Sequence, residues 1–489
     1  MAHPTVRASY EHDDSEDAVS DHHARPGSDS SSGKAAVSFW WDAAAGPARR
    51  PFLPGDVECD VAIVGAGYTG LWTAYYLAGR DPSLRTVVVE ARHVGYGASG
   101  RNGGWMSGQI SMSSAMLASQ DERDGVLRLR RAMIDSVDES LRVIAAEGIE
   151  ADAVKSGSLR VAVTPAQESR LRAFVARERA LGAAEDDWRI LEAPELRSRI
   201  DVAGALVGAY TPHCARIQPA KLAAGLADAV ARRGVTIYEN TMALAIERGA
   251  VLTSRGTVRA PVVVRATEGF TARLPGQARG WLPMNSSMIV TEPISAAGWQ
   301  SIGWDQAETL SDMAHAYVYL QRTADGRIAI GGRGVPYVFG NGFDPAGPTP
   351  ARASASLARA LHRLLPQTAG VGIQRSWSGV LGVPRDWNPE VGYDAATGAA
   401  WAGGYAGQGV TTANLAGRTL ADLITGADSP LTLLPWVGRV SRRWEPEPLR
   451  WLGVRAMYTA YRHADRREAG GGRSRTALVA RAADRIAGR

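Results

Sequence analysis

Cysteine is nearly absent from this 489-residue chain: Cys59 and Cys214 are the only two. Two thiols cannot build a disulfide framework, so a buried core must hold the fold, and a reducing, cytoplasmic setting is the expectation. Lysine is almost as scarce. Only Lys34, Lys155 and Lys221 occur, and every other basic residue is arginine, a bias read as compositional. No apolar run approaches the roughly 18 residues of a membrane span. No basic-then-apolar leader opens the sequence, and Arg49-Arg50 runs into proline and mixed sequence, so it does not read as an export signal. A single-signed charge is also missing from the body of the chain. The isoelectric point is near 9.3. However, residues 1–38 hold three basic and seven acidic residues, while residues 439–489 hold thirteen arginines and five acids. The basicity belongs to one tail, which argues against a nucleic-acid partner.

Glycine, by contrast, is plentiful and placed with purpose. Residues 60–70 read DVAIVGAGYTG. The apolar run 60–64 predicts a buried parallel strand, and Gly65, Gly67 and Gly70 complete G-x-G-x-x-G before a helix. Such glycines turn the chain tightly, admit a pyrophosphate to the backbone and let helix pack on strand. Tyr68 and Thr69 lie in the turn, at a helix N-terminus whose free N–H groups suit phosphate. A second apolar strand, 86–89, ends at Glu90, followed by Ala91 and Arg92. An acid at this point of a dinucleotide fold holds the ribose hydroxyls.

Two further glycine-rich segments lie far away, at 97–104 (GASGRNGG) and 403–409 (GGYAGQG). A simple dinucleotide domain needs only the first of the three. A larger cofactor touching the chain from both ends, FAD, accounts for all of them.

Elsewhere the pattern predicts helices at 121–146, 165–181, 217–234 and 410–424. Strands are expected at 157–164, 235–239, 243–247, 262–266, 282–290, 316–321, 327–331 and 399–402. Residues 1–35 are polar and short of large apolar groups, so they read as a disordered tail. His12, His22 and His23 in it have no metal-site spacing, and no metal is expected. Phe39, Trp40 and Trp41 mark where the chain docks onto the fold.

The segments DVAIVGAGYTGLWTAYYL, VVVEARHVGYGASGRNGGWMSG, ATEGFT, QRTADGRIAIGGRG, WSGVLGVPRDWNPEVG and WAGGYAGQGVTTANLAGRTLADLITG together resemble the D-amino-acid oxidase-like superfamily of FAD-dependent oxidoreductases. The γ-glutamylputrescine oxidase branch is the nearest likeness, and the resemblance runs from about residue 39 to 451. It implies an α/β fold in which a Rossmann-like FAD-binding domain (52–112, 203–275 and 388–427) interleaves with an antiparallel-sheet, α+β substrate domain (113–202 and 276–387). A basic extension, 439–489, follows. The resemblance also implies that Ala98 and Ser99 lie by the diphosphate and Arg101, Asn102, Gly103 and Gly104 beside the flavin ring. Ala243 would meet the adenine, Thr267 belongs to the same cofactor set, and Gly404, Gly407, Gly409 and Val410 would bring a helix N-terminus to the flavin pyrimidine. Relatives that tether FAD use a late cysteine, or a histidine where this chain has about Arg101, so non-covalent FAD is expected. The lysine that some relatives use toward oxygen has no counterpart here.

The expected activity is oxidation of a primary or secondary amine, such as a γ-glutamylputrescine-like compound, to an imine, with oxygen as acceptor. Two alternatives stay open: a dehydrogenase serving a quinone or carrier protein, and a flavin-containing scaffold or sensor. Candidate substrate contacts are Trp105, Tyr317, Tyr319, Arg322, Arg333 and Tyr337. Ordinary sheet packing competes for the tyrosines and a surface ion pair for Arg322. His315 is considered for proton transfer, against a structural role. The catalytic residue is otherwise unassigned. Direct membrane contact is not expected, and the oligomeric state is open.

Overall fold

The computed structural model describes residues 37–44, 49–113, 116–117, 123–332, 336–343, 346–347, 349–470 and 476–487. The compact unit to which they belong spans Ala36–Arg489. The expected tail, 1–35, lies outside the described residues.

Short runs of valine, isoleucine and alanine form the first sheet because they are apolar on both sides. Strands Val61–Val64 and Thr86–Val89 are buried at every position. They sit inside a six-stranded sheet ordered Thr236–Tyr238, Thr86–Val89, Val61–Val64, Val262–Arg265, Ala399–Gly403, Glu390–Asp394. The first five strands run parallel and the last is antiparallel. Parallel strands need covering on both faces. The helices Tyr68–Arg80 and Gly409–Thr425 pack together beside this sheet. They cross closely at Gly417, where a Cβ would stand 2.7 Å from Trp72 and Thr73 backbone atoms.

The second large sheet has eight strands, ordered Ile373–Val383, Leu282–Thr291, Ile328–Gly332, Val318–Arg322, Thr309–Asp312, Ser158–Ala162, Val207–Thr211, Arg189–Glu192. All pairs are antiparallel except Thr309–Asp312 with Ser158–Ala162. One face buries Ile289, Ile330, Leu320, Leu310 and Leu159 with Leu357, Leu361, Trp299 and Trp304. On the other face the register sets Trp377, Met288, Gly331, Tyr319, Ser311 and Arg160 side by side in a row.

Two features depart from the sequence reading. Strand Val207–Thr211 pairs in the eight-stranded sheet, although its number falls in the segment assigned to FAD binding. A short strand carries no mark of which sheet will accept it. The basic extension, for which no element was expected, contains the 21-residue helix Leu449–Ala469. Its Val454, Tyr458, Tyr461 and Ala464 are buried in a cluster with Leu282, Val383 and Trp387. No described helix is long and apolar enough to cross a membrane.

Candidate FAD site

The early glycine turn is forced by its surroundings. Gly65 has φ of +107°, and a Cβ there would lie 2.6 Å from the Ala266 carbonyl oxygen. A Cβ on Gly70 would lie 2.0 Å from the Gly65 oxygen, so only glycine lets the helix Tyr68–Arg80 start this close to the strand. That helix has Gly67 as its N-cap and no side-chain cap. Its N–H groups therefore remain largely available at the positive end of the helix dipole. The Tyr68 amide donates to Ser99 Oγ at 2.8 Å, which brings the Ala98–Gly100 turn against the same end.

Glu90 closes the far side. One carboxylate oxygen accepts the Ala66 amide at 2.9 Å and the other the Arg92 amide at 3.0 Å. Burial pushes its carboxyl above the usual range, against the pull of these amides. Ala91 and Arg92 are exposed beside it, and Ala243 is half-buried at the start of strand Ala243–Glu247.

Segment 97–104 is clamped from several directions. Trp40 Nε1 donates to the Asn102 carbonyl at 2.8 Å and Trp377 Nε1 to the Arg101 carbonyl at 2.9 Å. The Asn102 side chain bonds the Ser99 carbonyl and the Gly104 amide, both at 2.8 Å. Arg101 is buried, with Nε on the Tyr96 carbonyl and Nη1 on the Ser378 carbonyl. The Gly103 carbonyl accepts from Gln321 at 2.8 Å, and a Gly103 Cβ would meet the Tyr319 ring at 2.6 Å.

The late turn lies beside the early one. Thr69 Oγ1 and the Tyr405 hydroxyl, 336 positions apart, share a 2.9 Å hydrogen bond. Helix Gly409–Thr425 begins here with Val410 buried and, like the first, no side-chain cap at Gln408. Gly404 and Gly407 both have positive φ, +71° and +104°. Beneath this turn is a residue the sequence reading passed over. Glu268, at φ +43°, accepts the Gly382 amide at 2.5 Å and the Tyr405 amide at 3.0 Å. Burial pushes its carboxyl up to about 7. Its neighbour Thr267 bonds Thr271 instead, hydroxyl to hydroxyl at 2.8 Å.

The expected substrate residues separate. Trp105 and Tyr319 meet edge-on at 6.1 Å, Trp105 Nε1 is buried without a partner among the described residues, and the Tyr319 hydroxyl reaches Ser286 Oγ at 3.0 Å. Tyr317 is half-buried, two positions before Tyr319. Arg322 is on the opposite face, because side chains alternate along a strand. It covers Trp299 at 4.1 Å and donates to the Trp304 carbonyl, so it is a packing residue and not a wall of this site. Tyr337 is tied to Asn341 and Glu447 beneath Arg450. His315 bonds Glu468 at 3.1 Å and stacks on Tyr461 at 5.7 Å, a tie to the C-terminal helix and not a group facing the glycine turns. Arg333 lies outside the described residues.

Glu90→Ala is expected to weaken FAD retention about tenfold or more while the fold persists. A charge-assisted hydrogen bond is worth about 1.5–3 kcal/mol. Titrating apoprotein with FAD measures this, and unchanged affinity would remove Glu90 from the ribose role.

The donor set suits FAD. Two uncapped helix N-termini, an acid at the end of the second strand and three glycine segments converge through the Thr69–Tyr405 bond. Gly67 adds a separate sign, since a Cβ there would meet only Ser99, with Oγ at 3.0 Å. The protein itself makes no demand for glycine at that point, whereas a close phosphate does.

Comparison with known proteins agrees. Residues 60–423 match the family model described as FAD dependent oxidoreductase. The chain is 30% identical over 409 residues to the probable oxidoreductase OrdL of Rhizobium meliloti, covering 81% of this chain and 90% of that one. It is 29% identical to the gamma-glutamylputrescine oxidoreductase of Escherichia coli, over 76% and 84% of the two chains. The crystal structure of glycine oxidase from Geobacillus kaustophilus superposes with a TM-score of 0.65 at 23% identity, covering 78% of this chain and 98% of that one. With the glycine turns, the acid after the second strand and the matched length in agreement, this chain belongs to the FAD-dependent oxidoreductase family, and FAD is its cofactor.

Proposed function

We propose that the protein oxidises an amine that also carries a carboxylate. The observation that carries this reading is the wall formed by Trp105, Tyr319 and Gly331 against the Gly103 backbone, next to both glycine turns. A Gly331 side chain would strike the Tyr319 ring at 2.3 Å, so glycine here lets that ring lie down on the sheet. The Tyr319 ring, lying on the sheet with Trp105 edge-on to it, suits the alkyl part of an amine substrate. Two of the similar proteins are named for γ-glutamylputrescine and for glycine, compounds that hold both groups.

On this reading residues 52–112 and 388–427, with most of 203–275, bind the cofactor, and 113–202 and 276–387 bind the substrate. Gly65, Gly67, Tyr68, Thr69 and Gly70 would hold the diphosphate with Ala98 and Ser99, and Glu90 the ribose. Arg101 to Gly104 and Gly404 to Val410 would frame the ring. When bound, FAD supplies a hydride acceptor for the α-carbon of a neutral amine, leaving an imine for water to hydrolyse and passing the electrons to oxygen as hydrogen peroxide. The chain's part is to bind, orient and exclude water. Attachment is non-covalent on this reading. Arg101 is committed to two carbonyls, and both cysteines are buried, with burial raising the Cys214 thiol to about 12 and the Cys59 thiol to about 11.

The test is anaerobic mixing of the yellow protein with polyamines, γ-glutamyl amines and N-methyl amino acids. Bleaching by a carboxylate-bearing amine, with colour and peroxide returning in air, is the expected result. Flavin that dithionite reduces and no amine does would overturn the proposal.

A further inference from the structure

Arg160 is a half-buried cation of the eight-stranded sheet that has no carboxylate partner among the described residues. It lies on strand Ser158–Ala162, on the face that bears Tyr319 and Ser311. Its guanidinium sits 4.2 Å from the Phe174 ring centre and 5.4 Å from that of Trp188. Nη2 donates to Gln109 Oε1, in the loop that follows Trp105–Ser107. Nε and Nη1 have no acceptor, and no carboxylate is within ion-pair distance, among the described residues. The nearby acids are already engaged: Glu178 with Arg130, and Asp187 with His213 at 2.6 Å. Arg177, 5.7 Å from the Phe174 ring, adds a second positive charge to the surroundings. Burial lowers the Arg160 pKa, yet a guanidinium remains charged. Its residue as a whole is only partly shut from solvent. Glu178 and Tyr317 lie close enough to favour its charge without bonding it, so a half-buried cation with an aromatic clamp keeps two donors for an anion from outside.

We propose that Arg160, oriented by Gln109, binds the carboxylate of the substrate and sets its length. The inference rests on the reading that amine oxidation occurs beside Gly103 and Tyr319. From Tyr319 through Ser311 to Arg160 is two strand spacings, or about 10 Å. Ser311 between them is small and itself buried, so no bulky side chain of that strand separates the two. On this proposal the substrate is an amine whose carboxylate lies at the far end of its chain, as in an amide-linked γ-glutamyl amine, and not glycine or sarcosine. Arg322, one of the substrate contacts expected from sequence, is turned to the other face.

Calorimetry on the FAD-loaded protein tests the site with glutarate and with glutaramide, its uncharged counterpart. Wild type is expected to bind glutarate and to prefer it to glutaramide. Arg160→Met, which keeps the aliphatic contact with Phe174 and Trp188, should lose glutarate affinity by at least about tenfold. Arg160→Lys should fall between the two, since an ammonium cannot make a forked contact. Flavin reduction should show the same selectivity: the preference for γ-glutamylputrescine over putrescine should drop by at least about tenfold in Arg160→Met. Wild-type glutarate binding in Arg160→Met, or equal binding of glutarate and glutaramide by wild type, would overturn the proposal. Should Arg160→Met melt early, Arg160→Lys carries the comparison. Glutarate binding that depends on Arg160, in a protein whose flavin no amine reduces, would leave the anion site standing and sink the amine reading alone.

Discussion

Gly67→Val is expected to give a folded, colourless protein. The reasoning turns on what surrounds this glycine. Its φ of −82° and ψ of −177° are open to any residue. A Cβ there would approach only Ser99, with Oγ at 3.0 Å, and a shift of a few tenths of an ångström relieves it while the bond from the Tyr68 amide is kept. The neighbouring glycines differ, because Gly65 and Gly70 are held by backbone oxygens at 2.6 and 2.0 Å and their replacement would damage the fold itself. Valine at 67 should therefore leave thermal melting near wild type. It would, however, fill the space at the helix N-terminus where the diphosphate must come close to backbone N–H groups. Losing two charge-assisted hydrogen bonds at about 1.5–3 kcal/mol each lowers FAD affinity by roughly 10²–10⁴-fold. Equilibrium dialysis of apoprotein with FAD reads the effect directly. Normal FAD content in the valine variant would mean that the diphosphate lies elsewhere, whereas an early melt would show that the fold, too, needs glycine at this position.

The contrast among these three glycines shows where sequence is informative. The run VAIVGAG and the strand TVVV are legible because a parallel strand covered on both faces is apolar throughout, and its turn must be glycine for local reasons. Glu90 follows from the same unit, since its place depends on two adjacent strands. The position of Arg322 depends instead on the strand's parity relative to the sheet, and a one-residue offset moves a side chain to the other face. The sequence reading began this strand at 316 and treated Tyr317, Tyr319 and Arg322 as one group. The odd positions and the even one part company in the sheet. Arg160 was invisible for a related reason: it meets Tyr319 only through Ser311, on a strand 151 residues away from the residues that pair beside it. The C-terminal helix mixes Trp, Tyr and Arg without a clean stripe. Its apolar partners, Leu282, Val383 and Trp387, come from distant segments.

Glu268 is the sharpest case of such concealment, and its removal carries the second large effect. Within ATEGFT it looks like a loop acid. In the fold it is half-buried, and the Gly382 and Tyr405 amides, from two distant segments, converge on its two oxygens, with the Gly404 amide also directed at it. Glu268→Ala leaves at least two donors unpaired, at about 1–3 kcal/mol each, for a loss of about 2–6 kcal/mol in stability. It also frees the late glycine turn, and a displacement of about 1 Å at a reacting centre costs on the order of 10²-fold in rate. Flavin reduction by amine should therefore slow by that factor at full FAD occupancy. The carboxyl itself makes a pH-dependent contribution of the opposite kind. Burial raises it from 4.5 to about 7, so between those values the native protein holds a proton that the unfolded chain has released. Stability must then fall as pH rises from about 4.5 to 7, by about 3 kcal/mol in all, and the cost persists above 7. Glu268→Gln has no such titration, so the stability of wild type relative to this variant should decline across that window. Urea unfolding of the two apoproteins at fixed salt measures the difference. Parallel pH profiles would show that Glu268 is ionised throughout, stabilised by its amides beyond the cost of burial. A Glu268→Ala protein that reduces its flavin at the normal rate would show that the Thr69–Tyr405 bond alone suffices to hold the late turn in place.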